Sequence, residues 1–468
     1  MHDSPLGIVA QLLLELAVIL IFAKIGGEVF ERYLKIPAVL GELVAGIIIS
    51  PFALGGVDFG FFGPLFEVPL ESNGHGGTVL SSLPVEPQIF FVAQLAAVIL
   101  LFEAGLETNR TQFMKWARPA SAVATGGVVL PFVLGFFATI LFGFASFDSI
   151  HDMAPALFIG AIMTATSVGI TARVLADIRR LDSPEGVTVL AAAVIDDVLG
   201  IIVLAVVIGI VDGGDVTAGS VALIFVKAVG FWLGLTIIGS MVSKHISRAI
   251  LWFRSAGSHV ALTLALAFAA AGIAELGFGL AMIIGSYSLG LALSDTELKH
   301  EIESGMRQIN NFLVPIFFCV IGMQADLTAF GGEGVSSSIG QAIAFAAVLS
   351  LLAIVSKIAG SGLPAMLVGF NRRGAWRVGV GMLPRGEVAL IVAGIGLTSG
   401  VIARDEFGVA IIMTVVTTVL APILLIPAFR GGSGLRRRLQ GATAEPAAGS
   451  EQSVPITDRA VDHPRDIH

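Results

Sequence analysis

The stretch AAAVIDDVLG, residues 191–200, places the adjacent acids Asp196 and Asp197 inside a long apolar run. Ser183 and Pro184 precede this run and are typical of the N-cap and first position of a helix. With a rise of 1.5 Å per residue, the two acids lie about 18–20 Å along that helix, near or just past the centre of a bilayer. A charge at that depth costs about 2.5–3.5 kcal/mol, so the pair indicates a functional site. The alternative, that salt bridges occupy both acids, needs more intramembrane bases than the sequence offers.

The composition around this helix is that of a membrane protein. Of the 468 residues, 55% are hydrophobic and 13% are charged, whereas soluble domains average about 25% charged residues. This balance excludes an ordinary cytosolic enzyme, a nucleic-acid binder and a disordered chain. The 56 glycines suit closely packed transmembrane helices. A single cysteine, Cys319, excludes an intramolecular disulfide and a Cys-based metal site.

Apolar segments separated by short polar breaks predict an all-α polytopic membrane protein with 13 transmembrane helices. The segments are 6–24, 37–54, 88–106, 119–143, 154–176, 186–211, 218–243, 258–275, 279–294, 309–325, 338–369, 374–399 and 406–430. The eleventh is long enough to include part of a loop or a tilted helix. Residues 1–430 are therefore interpreted as one membrane domain, and residues 431–468 as a disordered cytoplasmic tail.

The basic residues predict the orientation, because cytoplasmic loops are enriched in Lys and Arg. Loops after even-numbered segments are acidic and contain one base, Arg404. Loops after odd-numbered segments contain the bases Arg32, Lys35, Arg110, Lys115, Arg118, Arg173, Arg179, Arg180, Lys244, Arg248, Arg254, Lys299, Arg307, Arg372, Arg373, Arg377, Arg430 and Arg436 to Arg438. The N-terminus is thus expected outside and the C-terminus inside.

Two lysines also lie in apolar segments. Lys357, in VLSLLAIVSKIAGSGLPA, lies too deep to reach the interface easily, although a lysine extending along its stem remains the alternative. Lys227 lies in the seventh segment without a matching acid in a recognisable motif, so the interfacial interpretation is favoured there.

The twelfth segment contains a second charged break. In GVGMLPRGEVALIVAGIGL, Arg385 and Glu387 lie beside Gly381, Pro384 and Gly386, a cluster that interrupts a helix. Broken helices at membrane depth are tolerated where they line a site. A local Arg–Glu pair that only stabilises the break is the alternative.

The fifth segment is also expected to be interrupted as a helix, within the stretch MTATSVGITARVL. Thr164, Thr166, Ser167 and Thr171 supply hydroxyls and Gly169 supplies flexibility. A simple bend, caused by hydroxyls bonding back to their own helix, is the alternative. Because the fifth and twelfth segments run in opposite directions in the predicted topology, two broken helices here indicate inverted repeats that cross at a binding site.

With these motifs, the sequence resembles the NapA-type sodium/proton antiporters of the monovalent cation:proton antiporter-2 family. The resemblance covers about residues 6–430 and is carried by TATSVGITARVL (164–175), AAAVIDDVLG (191–200), PIFFCVIGM (315–323) and MLPRGEVALI (382–391). It implies a sodium/proton antiporter fold with two crossing broken helices. It also implies a core domain around 88–211 and 309–399, a dimerisation domain and linker from the remaining helices, a homodimer, and an elevator-like movement of the core.

The resemblance further implies roles for single residues. Asp197 is expected to bind the ion, while Asp196 pairs with Lys357. Thr164, Thr166 and Ser167 are expected beside the ion, and Arg385 and Glu387 on the cytoplasmic side of the second broken helix. Related potassium-efflux systems usually carry a nucleotide-binding domain after the membrane part, and only about 38 residues come after residue 430 here, which argues against that class.

The expected function is exchange of Na⁺ or Li⁺ for H⁺ by alternating access, because a carboxylate holds either the metal ion or a proton. If Lys357 releases a proton when the ion binds, two protons exchange for one ion and transport is electrogenic. If Lys357 stays charged, exchange is electroneutral. K⁺/H⁺ antiport is the alternative, because no single residue distinguishes these cations.

Other classes fit less well. An intramembrane aspartyl protease needs its aspartates on different helices, and here they are adjacent. A retinal-type proton pump needs a buried lysine, which Lys357 could supply, but thirteen segments and two broken helices argue against it. A cation channel usually has a ring of symmetric filter segments, and none is found in the sequence. No GxxxxGK[ST] motif or metal-spaced histidines occur, so we expect a transporter rather than an enzyme, with no cofactor and no nucleotide or nucleic-acid partner. The expected location is the plasma (inner) membrane, and a role in pH homeostasis is expected from the exchange.

Overall fold

The computed structural model describes residues 5–34, 38–58, 64–68, 70–72, 78–80, 85–211, 218–324 and 338–436. Within these residues the protein is almost entirely α-helical. The predicted disordered tail lies outside the described residues from 437 onward.

The described part contains fifteen α-helices, and a π-helical turn, Phe30–Leu34, continues the first. They are α1 (Pro5–Val29), α2 (Ala38–Ile48), α3 (Pro87–Glu107), α4 (Arg110–Leu141), α5 (Ile150–Thr164), α6 (Val168–Asp177), α7 (Pro184–Val211), α8 (Ala218–Leu251), α9 (Ser258–Phe278), α10 (Met282–Leu293), α11 (Leu298–Met323), α12 (Ile339–Leu367), α13 (Arg372–Gly381), α14 (Glu387–Thr398) and α15 (Arg404–Ala428).

Nine helical stretches among the described residues are long and apolar enough to cross a bilayer. They are Leu6–Leu34, Pro87–Glu107, Phe113–Leu141, Ile150–Asp177, Pro184–Ile208, Ser258–Phe278, Leu298–Met323, Ile339–Leu367 and Arg404–Ala428. The chain is therefore a multi-pass membrane protein. The overlong eleventh segment is one helix, α12, whose 29 residues exceed the thickness of a hydrocarbon core.

The all-α prediction misses one short element. Two strands, β1 (Leu70–Ser72) and β2 (Thr78–Leu80), pair antiparallel in the Gly/Pro-rich second loop, with Leu70 opposite Leu80. Three-residue strands give too few alternating positions for a pattern to be recognised in the sequence.

Glycines allow the helices to approach closely where the charged residues lie. A Cβ atom on Gly126 of α4 would lie 2.2 Å from the carbonyl oxygen of Gly360 on α12, and one on Gly360 would lie 2.4 Å from the carbonyl oxygen of Gly126. Helices α2 and α11 meet in the same way, because a Cβ on Gly46 would lie 1.9 Å from the carbonyl oxygen of Cys319. Small residues at such contacts let transmembrane backbones pack directly.

The first residues of the predicted tail are ordered. Residues 431–436 follow the end of α15 after two intervening residues and lie against the ends of other helices. Leu435 forms an isolated antiparallel bridge with Phe370. Leu435 is 3% exposed, which explains why this stretch is fixed although its composition resembles a tail.

We expect Gly126→Ala to separate α4 from α12, because backbone atoms occupy the position of the new methyl group. Such overpacking costs about 1–3 kcal/mol. Thermal unfolding in detergent should therefore occur at a lower temperature than in the wild type. Gly340→Ala on the same α12 is the matched control, since nothing lies within 4 Å of its Cβ position. Equal melting temperatures for the two variants would contradict the close approach.

Candidate functional site at two crossed helix breaks

Two interrupted helices meet in the interior of the bundle. The first break separates α5, which ends at Thr164, from α6, which begins at Val168. The second separates α13, which ends at Gly381, from α14, which begins at Glu387. Pro384 has no backbone N–H to donate, which is one reason that the second helix cannot continue through this position.

The two breaks are hydrogen-bonded to each other. The backbone N–H of Ser167 donates to the carbonyl of Pro384 at 2.8 Å. The hydroxyl of Thr171 donates to the carbonyl of Gly381 at 2.7 Å, and that of Thr166 donates to the carbonyl of Met382 at 3.4 Å. Side chains and backbone thus satisfy groups that an uninterrupted helix would pair internally, as a water-free environment requires.

Helix α7 brings the two aspartates to this crossing. Its start is the predicted one, because the backbone N–H of Gly186 donates to the hydroxyl of Ser183 at 3.0 Å and Pro184 is the first helical residue. Asp196 is 1% exposed and Asp197 is 4% exposed. Both carboxyl groups are therefore held inside the protein.

Lys357 of α12 is fully buried and binds three neighbours at the crossing. Its Nζ atom donates to Oδ1 of Asp196 at 3.0 Å, to the carbonyl of Gly127 at 2.9 Å and to the carbonyl of Thr164 at 2.5 Å. A Cβ atom on Gly127 would lie 3.7 Å from Nζ, so a larger residue there would fill the space beside the ammonium group. The lysine does not extend to an interface.

Arg385 lies in the second break and is also fully buried. Its Nη1 atom donates to the carbonyls of Met163 and Ala165, the latter at 2.8 Å. The hydroxyl of Thr418 on α15 donates in turn to the carbonyl of Arg385. Lys357 and Arg385 thus place two cations at the C-terminal end of α5, where the helix dipole is negative.

The hydroxyl groups of Thr164 and Ser167 form hydrogen bonds within or next to their own helices. The hydroxyl of Thr164 donates back to the carbonyl of Ala161 at 2.8 Å, so its carbonyl, and not its hydroxyl, contacts Lys357. The hydroxyl of Ser167 caps α6 by accepting from the N–H of Ile170. The side chain of Glu387 lies outside the described part of the structure. Lys227 is exposed on α8, and its position at the interface stays a prediction.

Two parts of the arrangement could not be predicted from the sequence. The Gly127 carbonyl carries no side-chain signal, since only the tight α4–α12 contact brings it to Lys357. Arg377 was counted among the loop bases, but it lies within α13 and is 4% exposed. Its Nη1 atom donates to Oε1 of Glu185 at 2.6 Å, which makes this a buried ion pair between α13 and α7.

A cavity of about 540 Å³ lies near the end of α6, between α3 and α11. Charged residues of both signs line it, namely Glu103, Glu107, Arg179, Asp182, Lys299, Glu303 and Arg307.

Within the described residues, no three His, Cys, Asp or Glu side chains are grouped as a metal centre.

This fold and site define a polytopic membrane protein with charged groups buried where two broken helices cross, an arrangement typical of secondary transporters. The chain belongs to the sodium/hydrogen exchanger family: the profile of that family, described as "Sodium/hydrogen exchanger, transmembrane", matches residues 17–431.

Individual relatives agree with this assignment. The chain is 36% identical over 437 residues to the high-affinity Na⁺/H⁺ antiporter NhaS3 of Synechocystis sp., with 92% of each chain covered. It is 33% identical to the Na⁺/H⁺-K⁺ antiporter GerN of Bacillus cereus, covering 88% of this chain and 94% of that protein. The sodium proton antiporter MjNhaP1 of Methanocaldococcus jannaschii at pH 8 has the same fold, with a TM-score of 0.62 at 16% identity over 90% of this chain and 99% of that one.

We expect Lys357→Met to destabilise the protein strongly, because it leaves Asp196 buried without its cation. Breaking a buried ion pair on one side costs about 3–5 kcal/mol, whereas replacing both partners is often close to neutral. The double variant Lys357→Met with Asp196→Asn should therefore melt at a higher temperature than the single variant. If the double variant melts no higher, the ion pair is not the source of the loss.

Proposed function

We propose that this protein is an antiporter that exchanges Na⁺ or Li⁺ for H⁺ across the membrane. The observation that carries the proposal is the buried Asp196–Lys357 ion pair, with Asp197 adjacent, at the crossing of two helix breaks. Family membership supports it, as do the antiport activities named for NhaS3 and GerN. The adjacent aspartates and the lysine also favour the NapA type within the family.

In the proposed mechanism Asp197 is the carrier. Na⁺ and Li⁺ are hard ions that prefer oxygen ligands, and a carboxylate, backbone carbonyls at the breaks and hydroxyl groups are oxygen ligands. A carboxylate that binds the metal ion must first lose its proton, so the ion and the proton compete for one group. Alternate access to Asp197 from the two faces then produces exchange.

Charge balance makes Lys357 the group that sets the stoichiometry. With Asp196 and Asp197 ionised and Lys357 and Arg385 protonated, the four buried charges sum to zero. Binding of Na⁺ adds one positive charge, and release of a proton from Lys357 removes one. Asp197 gives up the other proton when it ionises to bind the ion, so transport would move two protons for one ion, with one net charge worth about 2.3 kcal/mol per 100 mV. If Lys357 keeps its proton throughout, the exchange is electroneutral.

The proposed topology has thirteen crossings. The nine apolar stretches are joined by Ala38–Ile48, Ala218–Leu251, Met282–Leu293 and the broken pair α13 and α14. The distribution of Lys and Arg favours an outside N-terminus and an inside C-terminus. In that topology the two broken helices have opposite orientations, which makes the repeats inverted.

We further propose a homodimer in the plasma (inner) membrane with an elevator-like movement. The moving core is built around residues 88–211 and 309–399, which contain both breaks, and the remaining helices form the dimerisation domain and linker. Antiport of this kind would serve pH homeostasis.

K⁺/H⁺ antiport is the second candidate. The name of GerN includes K⁺ beside Na⁺, and GerN is 33% identical to this chain. K⁺ is larger than Na⁺ and is dehydrated at a lower cost, so ion selectivity depends on ligand spacing in the occupied site.

We expect Asp197→Asn to abolish cation-dependent proton movement, because an amide neither binds nor releases a proton at neutral pH. The measurement uses purified protein in liposomes that are acidic inside and contain a pH-sensitive dye. Na⁺, Li⁺ and K⁺ are added outside in turn. Asp148→Asn, at an exposed turn, is the matched control and should behave as the wild type. Full activity of Asp197→Asn would remove that residue from the mechanism, and a response to K⁺ alone would favour the second candidate.

Two-proton exchange predicts a transport current. A Na⁺ concentration jump on liposomes adsorbed to a supported membrane should give a transient current in the wild type. Lys357→Gln combined with Asp196→Asn, which leaves no unpaired charge, should lose that current and keep Na⁺-dependent proton movement, since the glutamine side chain carries no second proton. A wild type that moves Na⁺ without current would contradict the two-proton stoichiometry and leave antiport itself intact.

A further inference from the structure

The segment directly after α15 lies across the ends of the helices that carry the site. We call residues 429–436 the C-terminal strap. Phe429 and Leu435 are its apolar anchors, being 6% and 3% exposed, and both belong to the main hydrophobic core. The strap therefore packs as part of the membrane domain.

The strap holds the junction between α12 and α13. The backbone N–H of Asn371 donates to the carbonyl of Gly434 at 2.8 Å, and the Asn371 side chain donates to the carbonyls of Ser433 and Leu435 at 2.9 and 3.0 Å. The same side chain accepts from the N–H groups of Arg373 and Gly374 and so caps α13. At the other side of the junction, the backbone N–H of Arg436 donates to the carbonyl of Gly369, just beyond α12. The Arg436 side chain donates to the carbonyl of Met366, in the last turn of α12.

Arg377 joins the strap to α7 and α15. Its Nε atom donates to the carbonyl of Ala428 at 2.9 Å, at the C-terminal end of α15, and its Nη2 atom donates to the carbonyls of Gly431 and Gly432 at 3.2 and 2.9 Å. Its Nη1 atom binds Glu185, the second residue of α7, and its guanidinium lies 5.1 Å from the centre of the Phe429 ring. The planar, rigid fork of arginine suits such a set of acceptors, which lysine cannot reproduce.

The helices joined here are the ones that deliver the site. Helix α7 carries Asp196, α12 carries Lys357, α13 leads into the break with Arg385, and Thr418 of α15 donates to the carbonyl of Arg385. Helices are stiff and rise 1.5 Å per residue, so the strap lies about 15 Å from these groups. Fixing the ends of four helices restricts their sliding, and thereby the distances between groups at the crossing.

We propose that Arg377 is a positioning residue for transport, acting through the C-terminal strap to hold α7, α12, α13 and α15 in the register that the ion site requires. This inference rests on the proposed antiport function. It extends that function by assigning the ion site a set of contacts at one end of the bundle, outside both helix breaks. It also requires α15 and the strap to move with the core in the proposed elevator-like movement, and not with the other helices outside residues 88–211 and 309–399.

Two variants disturb the strap, and two controls leave it intact. Gly434→Ala lifts the strap without altering a charge, because the new Cβ would lie 2.0 Å from Oε1 of Glu185 and 2.7 Å from Cα of Gly374. Arg377→Lys keeps the charge facing Glu185 and loses the fork that reaches Ala428, Gly431 and Gly432. A chain ending at residue 436 keeps the strap and lacks residues 437–468, and it is the matched control together with Gly340→Ala.

Dye-reported antiport in liposomes is measured over a range of Na⁺ concentrations and pH values. Gly434→Ala and Arg377→Lys should each raise the KM for Na⁺ by about 5-fold or more, the range of a typical coupling between distant sites, with a smaller change in the maximal rate. Both should shift the pH profile, because Na⁺ and H⁺ compete at a loosened site. The two controls should match the wild type.

A second readout does not depend on transport. Amide hydrogen exchange of residues 372–381 and 184–190 should be faster in Gly434→Ala than in Gly340→Ala, since the strap closes those helix ends. Faster exchange with unchanged KM and pH profile would overturn the positioning role and leave the strap purely structural. Unchanged exchange and unchanged KM would overturn the contact itself. A wild type without Na⁺-dependent proton movement would instead contradict the proposed function.

Discussion

Each helix break leaves backbone carbonyl and N–H groups without partners in their own helix. In a water-free interior other protein groups must form hydrogen bonds with them, and this requirement determines the arrangement at the centre of the molecule. The carbonyls of Met163, Thr164 and Ala165 receive the cations of Arg385 and Lys357. The opposite break receives hydrogen bonds from Thr166, Ser167 and Thr171. Once two cations are buried for this purpose, buried carboxylates are needed to balance them. The pair Asp196–Lys357 is therefore part of the support of the broken helices as well as of the chemistry proposed for them.

Because Lys357 both supports the broken helices and neighbours the proposed ion site, its protonation state affects the surrounding helices. Lys357 binds one aspartate and two carbonyls, so a change in its protonation alters three contacts on three different helices. Within the described part of the structure, the hydrogen bonds that Arg385 donates go to carbonyls at the end of α5 and not to a carboxylate. The lysine is thus suited to respond to the ion, while the arginine maintains the break.

The sequence predicted the parts of this site that leave a local signal. Pro384 and Gly386 mark one break, hydroxyl-rich residues from Thr164 mark the other, and Ser183 with Pro184 marks the start of α7. The partnership of Asp196 with Lys357, 161 residues apart, was implied by the family resemblance and not by spacing. Contacts through backbone atoms, such as the Gly127 carbonyl, leave no trace in a side-chain pattern. Arg377 comes shortly after Arg372 and Arg373, the first residues of α13. Its burial depends on the strap folding back on α13, a long-range contact that local composition does not encode.

The tight contact between α2 and α11 has a practical consequence. Cys319 lies in that contact, fully buried, with its carbonyl against Gly46, and it is the single thiol of the 468-residue chain. A water-soluble maleimide or methanethiosulfonate reagent cannot reach this sulfur while the helices stay packed. The native protein is consequently a ready background for spin labels or fluorophores, in which one engineered cysteine on either face reports its position without competing signal.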